Sequence, residues 1–488
     1  MKKRNLSFVA CAMLFTTAGV RAAELWIGAA EVSITPDRSI SLAGQFHQRL
    51  STKVESPCKA CVLALESREP GKPAEQAMLI AVDVVSIPVE VQCAFRAWVA
   101  SKLTGFDTNK LFLAATHTHT GPTLNQERFS DYGDAMQPKE YLPFLYERMT
   151  EAAVRAWEGR RPGGVAWGLG HAVVGHNRRV VYADGKAEMY GKTGKPEFRH
   201  LEGWEDHAVD VLGFTDAEKK LIAAMLVVPC PSQTVEGMSQ VSADYWHPVR
   251  EGLRGKYGEG LVVLGFCGPG GDVMPRPMLR KAAESRMEKL RGLARKEEVG
   301  RRIVRAFDET WEVIREDIRA DAALAHRVER FTVPARKITD SELQEARSQC
   351  AAYSAQMASA TTPHAKSYAE GRRNWFRRTV DLYEAQQKAG IVNRLEVHVL
   401  RLGGVAIATS PFELFQDYAM RIHGRSAAPQ TVLIQLASPA DHRHSYLPSE
   451  RAVKGGGYSA VPQSTPVGPE GGQMLVERTL DAIRALFP

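Results

Sequence analysis

The pattern of apolar and polar positions in the first quarter of the chain predicts strands that alternate with a helix. A strand is predicted where apolar residues alternate or run together before a turn, and a helix where they recur every three or four positions. This gives strands at 25–36, 61–66 and 78–82, a helix at 89–103, and a strand at 111–115. A strand, a helix and a strand in this order predict a βαβ unit, in which the two strands run parallel.

The later pattern predicts a mixed α/β fold. A hairpin is expected at Asp184-Gly185, and further strands within 205–214, 223–233, 261–266, 395–402 and 405–409. Helices are expected at 141–157, over 279–318 and at the C-terminus. Two more are expected to begin at a side-chain cap, one at Ser242 or Asp244 and the other at a Thr339 capping box. We therefore expect a central, largely parallel β-sheet region with flanking helices and a long helical insertion at about 279–390.

The N-terminal segment has the features of a secretory signal peptide. Lys2, Lys3 and Arg4 precede an apolar run to Val20, and small residues stand before a cut after Ala22. We expect residues 1–22 to be removed, residues 23–488 to form the catalytic domain, and the protein to be periplasmic or extracellular. Removal takes four basic residues, so the formal charge falls from +7 to 59 − 56 = +3. That balance gives no reason to expect a nucleic-acid partner.

Two other compositional features have ordinary explanations. Cys58 and Cys61 form a single CxxC, which without a second pair favours a local disulfide or simple burial over a zinc ribbon. Between Arg276 and Arg305 there are 11 Lys and Arg residues against 4 Glu. Such a basic face is usually solvated, and peripheral contact with an acidic lipid or polysaccharide is the alternative. The sequence leaves the oligomeric state open.

The segment "FLAATHTHTGP", residues 112–122, is the strongest candidate for chemistry. A buried apolar strand delivers His117 and His119 to its C-terminal end, where ligands bind in open α/β sheets. Residues two apart share one side of a strand, so the two rings can serve one metal ion, or one can bind and the other face a substrate. A polar strand end with solvated histidines is the alternative. Asp83, expected at the same edge, either orients a histidine or caps a turn.

Other polar segments follow predicted strands or turns. They include 176–179 with two arginines, the Pro229–Ser232 segment with Cys230, and the glycine-rich "CGPGGDVMP" at 267–275, whose N–H groups can hold an oxyanion. His207 precedes another strand. In "SPFE", Ser410 and Glu413 have the spacing of a capping box, which favours a structural role for Glu413.

The order of these motifs resembles the neutral/alkaline, non-lysosomal ceramidase family, from about Leu25 to the C-terminus. "THTHTGP" at 116–122 is similar to the family's "THTHSGP", and Asn177-Arg178-Arg179 to its "NRS". Residues 271–276 resemble its "GDxSPN" loop, residues 411–415 its "PAEFT", and residues 446–449 its "YVTT". The family's immunoglobulin-like tail domain has no room in this chain.

The resemblance implies an exported zinc-dependent amidohydrolase that cleaves an N-acyl bond by a metal-activated water. It places Zn²⁺ on His117, Glu413 and Tyr446, and it makes His119 and Arg178 the groups that face the substrate carbonyl. Asp272, in the glycine-rich loop, is a further catalytic candidate. The implied partner is a small-molecule or lipid-like acyl amide.

Three departures from the family leave the substrate open. Pro231 stands where the family has its second zinc histidine, so Cys230 is the first candidate replacement and His207 the second. Met274 replaces the loop serine and can be neither nucleophile nor hydrogen-bond donor. A substrate-binding tyrosine falls near Val453, with Tyr458 in the same loop. Two alternatives therefore stand beside the amidase: a glycan-directed deacetylase or esterase on the same site, and a non-catalytic binding protein on a decayed hydrolase scaffold.

Overall fold

A computed structural model describes residues 23–69, 71, 74–125, 128–388, 391–440 and 445–487. The predicted signal peptide, residues 1–22, lies outside these ranges. Within them, none of the helices combines the length and the apolar character needed to span a membrane.

The strands are, in chain order, β1 (Glu24–Ser33), β2 (Ser41–Leu42), β3 (Arg49–Leu50), β4 (Lys59–Arg68), β5 (Glu75–Val82), β6 (Leu111–Ala115), β7 (Arg161–His171), β8 (His176–Asn177), β9 (Arg179–Tyr182), β10 (Ala187–Met189), β11 (Phe198–Leu201), β12 (Ala208–Asp216), β13 (Leu221–Val228), β14 (Val262–Cys267), β15 (Val273–Met274), β16 (Leu324–Pro334), β17 (Val392–Leu402), β18 (Val405–Thr409), β19 (Glu413–Leu414), β20 (Gln430–Ile434) and β21 (Tyr446–Leu447). The helices are α1 (Val89–Ala100), α2 (Pro138–Glu158), α3 (Trp246–Tyr257), α4 (Lys281–Arg291), α5 (Arg295–Ile314), α6 (Asp340–Ser359), α7 (Pro363–Lys388), α8 (Gln416–His423), α9 (Glu450–Gly455) and α10 (Pro469–Leu486). Short 3₁₀ helices lie at Thr108–Lys110, Arg315–Asp317 and Pro462–Ser464.

The main sheet has eight strands in the order β14-β13-β12-β7-β1-β4-β5-β6. The β13–β14 and β5–β6 pairs, at its two ends, are parallel, and the five pairings between them are antiparallel. The mixed α/β class is therefore confirmed, while the parallel pairing that we expected is confined to the ends. Short connections after β4 and β12 allow only antiparallel neighbours, whereas α1 and α3 make the crossovers that parallel strands require.

A second sheet, β16-β17-β18-β20, packs against the first and completes four layers. Alternate residues of the main sheet face opposite cores, as Leu63 and Val62 of β4 show. One face packs on the second sheet. The opposite face is covered by α1 and α2 at one end and by α3 and α5 at the other. Helices α8 and α10 cover the outer face of the second sheet.

The predicted βαβ unit is present as β5, α1 and β6. All five residues of β6 are buried, as expected for a strand covered on both faces. Helix α1 buries Val91, Phe95 and Val99, which recur every four residues. The predicted hairpin at Asp184-Gly185 is also present. The predicted strands 395–402 and 405–409 are present as β17 and β18, which pair antiparallel, and the Thr339 capping box forms at the start of α6.

Several local expectations differ from the structure. The helical stretch 279–318 divides into α4 and α5 at Gly292, whose φ of 66° suits glycine at a helix end. Range 279–390 also holds β16, the edge strand of the second sheet. Helix α3 begins at Trp246 without a side-chain cap from Ser242 or Asp244. No helix follows Ser410 directly: Glu413 lies in β19 and α8 starts at Gln416, so the capping box predicted in "SPFE" is wrong.

Asp83 does not orient a histidine. Its carboxylate forms a fully buried bidentate pair with Arg250, at 2.6 and 3.0 Å, and accepts the backbone N–H of Lys59 at 2.8 Å. It joins α3 to the loop that follows β5, and thereby fixes the two ends of the main sheet relative to each other.

The cysteines and the basic face have simple environments. Cys58 and Cys61 are buried free thiols. Much of the basic charge of α4 and α5 is paired locally: Arg295 and Arg302 both contact Glu284, and Arg291, Arg301 and Arg302 all contact Glu298.

Candidate active site

The candidate site lies where the two ends of the main sheet meet. Strand β14 packs against β4, β5 and β6, so the curled sheet brings the carboxyl ends of both parallel pairs together. The loops after β6 and β13 are joined by hydrogen bonds: Ser232 Oγ donates to the Thr116 carbonyl at 2.8 Å, and the His119 N–H donates to the Ser232 carbonyl at 3.3 Å. Polar residues after both pairs can therefore face one space.

His117 and His119 come together, although the strand has already ended. His117 has a φ of 61°, a left-handed conformation that costs roughly 1–3 kcal/mol and clusters at functional sites. Its Nδ1 lies 2.6 Å from the Val85 carbonyl, which can only accept, so Nδ1 carries the proton. Its Nε2 then points to His119 Nε2 at 3.3 Å and to Glu413 Oε2 at 3.4 Å.

Glu413 and Tyr446 reach the site on two short strands. Strands β19 and β21 pair in parallel with Glu413 opposite Tyr446, and the Glu413 N–H donates to the Ser445 carbonyl at 3.0 Å. The Tyr446 hydroxyl is hydrogen-bonded to the Glu413 carboxylate. The structure thus unites the three zinc ligands implied by the resemblance in one buried cluster, which we call the His117–Glu413 cluster: His117, His119, Arg178, Glu413 and Tyr446.

Arg178 is the buried cation of this cluster, with a side chain 1% exposed. Its Nη1 donates to Tyr190 Oη at 2.7 Å and to Gln233 Oε1 at 3.1 Å. Its Nη2 donates to the Gly271 carbonyl at 3.0 Å and to Tyr446 Oη at 3.4 Å, and lies 3.9 Å from Glu413. These fixed contacts hold the guanidinium in a single position beside the carboxylate.

Gln233 links Arg178 to His119 and settles which form His119 takes. Because Gln233 Oε1 accepts from Arg178, its Nε2 must donate to His119 Nε2, at 2.8 Å. Burial, aided by the charges of His117 and Arg49, lowers the pKa of His119 well below its ordinary value. His119 is therefore neutral, with its proton on Nδ1. Gly44 packs on this ring so closely that any Cβ would lie 2.4 Å from Nδ1.

The remaining pKa shifts keep the cluster charged in a defined way. Burial alone would raise the pKa of Glu413, but His117, Arg178 and Tyr446 outweigh it, and the pKa is lowered. Burial, and then the Glu413 charge, raise the pKa of Tyr446 well above its ordinary value. At neutral pH, and without a bound cation, the cluster therefore holds a carboxylate, a neutral phenol and a guanidinium.

Three predicted site residues lie elsewhere. Cys230 Sγ faces the Val174 and Pro231 carbonyls at 3.6 Å within an apolar core, and burial raises its thiol pKa well above its ordinary value. His207 lies half-buried beside Glu205, at 3.6 Å, and near His176. Asp272 accepts from Asn177 Nδ2 at 2.8 Å and from the Gln416 N–H at 3.1 Å, and burial raises its pKa to about 6. Asp272 joins β8 to the segment after Glu413.

Sequence patterns did not indicate a role in the site for Gln233, Tyr190, Glu236 or the Val85 carbonyl. Gln233 directly follows the Pro229–Ser232 segment, after the end of β13. This position beyond a predicted strand was the sequence feature that could have indicated its role. Glu236 Oε2 lies 3.8 Å from His119 Nδ1. Tyr190 has a φ of 61° and meets Arg178 across the hairpin. Nothing in its local pattern distinguishes Tyr190 from a surface turn residue.

The donor set has the chemistry of a zinc site, and one of its donor–donor distances matches tetrahedral zinc coordination. Among the described ranges, no group of three or more His, Cys, Asp and Glu side chains is arranged to hold a metal ion. The candidate set has two such side chains and a phenol: His117 Nε2, Glu413 Oε2 and Tyr446 Oη. Donors around tetrahedral zinc lie roughly 3.3 Å apart, given metal–ligand distances of about 2.0–2.1 Å. His117 Nε2 and Glu413 Oε2 have this spacing, at 3.4 Å, and a proton or a cation can satisfy both.

Two cavities flank the cluster. One, of about 460 Å³, is lined by Gly44, which touches His119, and by Tyr458, whose ring centroid is 5.8 Å from that of Tyr446. The other, of about 550 Å³, is lined by Tyr190, Glu236 and Met274. Both cavities are thus lined by residues that contact the cluster, and not by the five cluster residues themselves.

These features define a protein of neutral ceramidase-like fold. Neutral ceramidase from Pseudomonas aeruginosa is similar in structure, with a TM-score of 0.69, 17% sequence identity, and coverage of 96% of this chain and 75% of that chain. A ceramidase complexed with C2 gives a TM-score of 0.63 and 16% identity, covering 95% and 76%. No protein-family model and no curated protein matches the chain. The resemblance drawn from the motifs is thus confirmed for the fold.

Proposed function

We propose that this protein is an exported, zinc-dependent amidohydrolase that cleaves an N-acyl bond. The observation that carries the proposal is the His117–Glu413 cluster, in which ligand-type atoms at zinc spacing stand beside a fixed guanidinium. The ceramidase-like fold supports the same reaction class. His117, Glu413 and Tyr446 would hold the ion. Zinc, when bound, supplies Lewis acidity toward a carbonyl and makes water a nucleophile at neutral pH.

The protein's own groups do the positioning. Arg178, already bonded to Tyr190 and Gln233, presents its charge beside the site where a carbonyl oxygen gains negative charge. Neutral His119 carries its proton on Nδ1, and its Nε2 accepts from Gln233 beside His117. Because Gln233 is hydrogen-bonded to both groups, it fixes the positions of the guanidinium and the imidazole relative to each other.

The lining of the smaller cavity favours a polar acyl amide over one with two long chains. Arginines and aromatic rings line it, together with Asn125, Asn374 and Asp381. A pocket for long alkyl chains is expected to be walled mainly by aliphatic side chains. A polar acyl amide would be cleaved by the same amide chemistry. It would differ from an amide with two long chains only in the part of the molecule that occupies the cavity.

Metal content and hydrolysis, measured together, test the proposal. We expect the purified protein to hold about one zinc per chain and to hydrolyse N-acyl amides, including a short-chain ceramide. His117→Ala and Glu413→Gln should lose both the metal and the activity. His200→Ala, at an exposed histidine, is the matched control and should lose neither. Amide hydrolysis that survives in His117→Ala, or a parent protein with no metal and no activity, would overturn the proposal.

A further inference from the structure

Helix α4 lies on the surface and is held to the protein by ion pairs. Among the described residues, none of the eleven that form this helix (Lys281–Arg291) is buried. Glu284 lies 3.4 Å from Arg295 and 2.8 Å from Arg302, and Glu288 lies 2.6 Å from Arg295. A surface helix usually turns an apolar stripe toward the core. Because α4 does not, its methionine and leucine are not accounted for by burial within the protein.

The charges of α4 are segregated around the helix. Its two acidic residues, Glu284 and Glu288, face the protein through their ion pairs. Arg286 lies on the opposite side, since successive residues are about 100° apart around a helix, and Lys289 lies beside it. Both are exposed, and neither has an ion-pair partner among the described residues. The outward side of α4 therefore carries positive charge and none of the negative charge of the helix.

Apolar side chains lie next to these cations. Met287 and Leu290, which are 39% and 64% exposed, are three positions apart and are therefore neighbours on the helix surface. Leu279, just before the helix, is 47% exposed. We call the outward residues of α4 and of the segment before it the α4 face: Leu279, Arg280, Arg286, Met287, Lys289 and Leu290. The α4 face thus combines exposed apolar and cationic side chains on one short segment.

We propose that the α4 face binds the surface of an anionic lipid bilayer. In such a complex the basic side chains contact lipid phosphates, while Met287 and Leu290 enter the boundary of the acyl chains. Each basic residue near an anionic membrane strengthens binding about fivefold. A nucleic acid or an acidic polysaccharide would also attract the charges, but it would leave the apolar side chains exposed. The binding is independent of the proposed reaction, because none of these residues belongs to the His117–Glu413 cluster.

The α4 face adjoins the cavity of about 550 Å³ that flanks the cluster. Lys281 and Ser285 of α4 line this cavity, together with Tyr190 and Glu236. The last two residues contact the cluster, at Arg178 and His119 respectively. A protein held at a bilayer by α4 would therefore keep this cavity close to the lipid surface.

Vesicle sedimentation tests this inference on the chain without residues 1–22, whose apolar run would itself bind lipid. The vesicles consist of phosphatidylcholine alone or contain about one third phosphatidylglycerol, and we expect at least about tenfold tighter binding to the anionic ones. The double substitution Arg286→Gln/Lys289→Gln should weaken that binding roughly 25-fold. Met287→Gln/Leu290→Gln should weaken it at least about fivefold, because less apolar surface enters the bilayer.

Two matched double variants and one measurement of structure serve as controls. Arg347→Gln/Lys366→Gln removes two exposed basic residues of α6 and α7, and Met420→Gln/Met474→Gln removes two exposed methionines of α8 and α10. Neither pair should change vesicle binding. The far-UV circular dichroism of both α4 variants should match that of the parent protein, because no replaced residue is buried.

Three results would overturn the inference: equal binding to both kinds of vesicle, no binding to the anionic vesicles, or binding that both α4 variants retain. Binding that needs Arg286 and Lys289 but not Met287 and Leu290 would assign the α4 face to a soluble polyanion, and would overturn it as well. Vesicle binding is measured without a substrate, so failure of the proposed reaction leaves its result unchanged.

Discussion

Two buried pairs of histidines in the described part of the chain, each with a glutamate and an arginine, are built differently. One is the His117–Glu413 cluster with Arg178. The other lies between the two sheets, where His326 of β16 and His398 of β17 meet Glu396 and Arg96. Because the residue types are the same, the differences between the two groups come from their geometry.

In the second group each ring nitrogen has a close partner. His326 Nδ1 lies 3.1 Å from the Gln76 carbonyl, His326 Nε2 lies 2.8 Å from His398 Nδ1, and His398 Nε2 lies 3.0 Å from Glu396. Arg96 completes the chain at 2.7 Å from Glu396. The corresponding distances around His117 Nε2 are 3.3 and 3.4 Å, beside two cavities. Short contacts of this kind stabilise a fold, whereas the wider gaps between the acceptors around His117 leave room for a cation.

The largest expected effect comes from removing one histidine from each group. His117→Gly should lower amide hydrolysis roughly 10³-fold or more, because the proposed metal ligand is lost. Its free energy of unfolding should be unchanged or higher by up to about 1 kcal/mol, since glycine accepts the positive φ. His398→Ala should do the reverse and lower stability by roughly 2–4 kcal/mol, with the kcat of folded protein retained. Urea unfolding and steady-state kinetics on both variants check this, and equal loss of activity in the two would erase the distinction.

The arginines give the next largest effect. Arg178→Met should lower kcat by roughly 10²–10³-fold, with a smaller change in KM, if the guanidinium acts on charge that develops during the reaction. Arg96→Met should leave kcat near the parent value and reduce stability, because Glu396 loses the more buried of its two arginine partners, Arg96 and Arg330. A rise in KM alone for Arg178→Met would assign this arginine to substrate binding only.

The smallest expected effect is in the pH dependence of stability. Burial lowers the pKa of both His326 and His398, so the folded protein binds fewer protons than the unfolded chain. The contribution of the two histidines to the free energy of unfolding is therefore complete above the unfolded pKa of about 6.5, and it is lost as the pH falls below that pKa. We expect the free energy of unfolding to fall between pH 7 and 5, by at most about 1.4 kcal/mol per pH unit for each histidine. His326→Asn should show a shallower slope in urea unfolding at four pH values, and an unchanged slope would contradict the assignment.

Sequence patterns predicted the elements better than their assembly. The apolar run of β6, the periodicity of α1 and the turn at Asp184-Gly185 each depend on residues close in sequence, and all three were predictable. The curl that brings β14 onto β4, β5 and β6 depends on contacts across two hundred residues, and no local pattern encodes it.

In the site, too, features that depend on neighbouring residues were predictable and features that depend on distant residues were not. His117 and His119 were visible as a motif, whereas Glu413 has the local spacing of a helix cap, and only the resemblance indicated its role. Cys230 has suitable ligand chemistry, but the strand end turns its thiol into an apolar core. Gln233, three residues further on, reaches His119 and Arg178 instead. A change of three residues along a turn thus decides which polar group faces the site.

The pairing of Glu413 with Tyr446 has a consequence for chain growth. His117 and His119 leave the ribosome some three hundred residues before the two short strands that carry the carboxylate and the phenol. A growing chain therefore holds the two histidines long before the carboxylate and the phenol exist. The five side chains of the His117–Glu413 cluster can come together only after β21 has joined the fold.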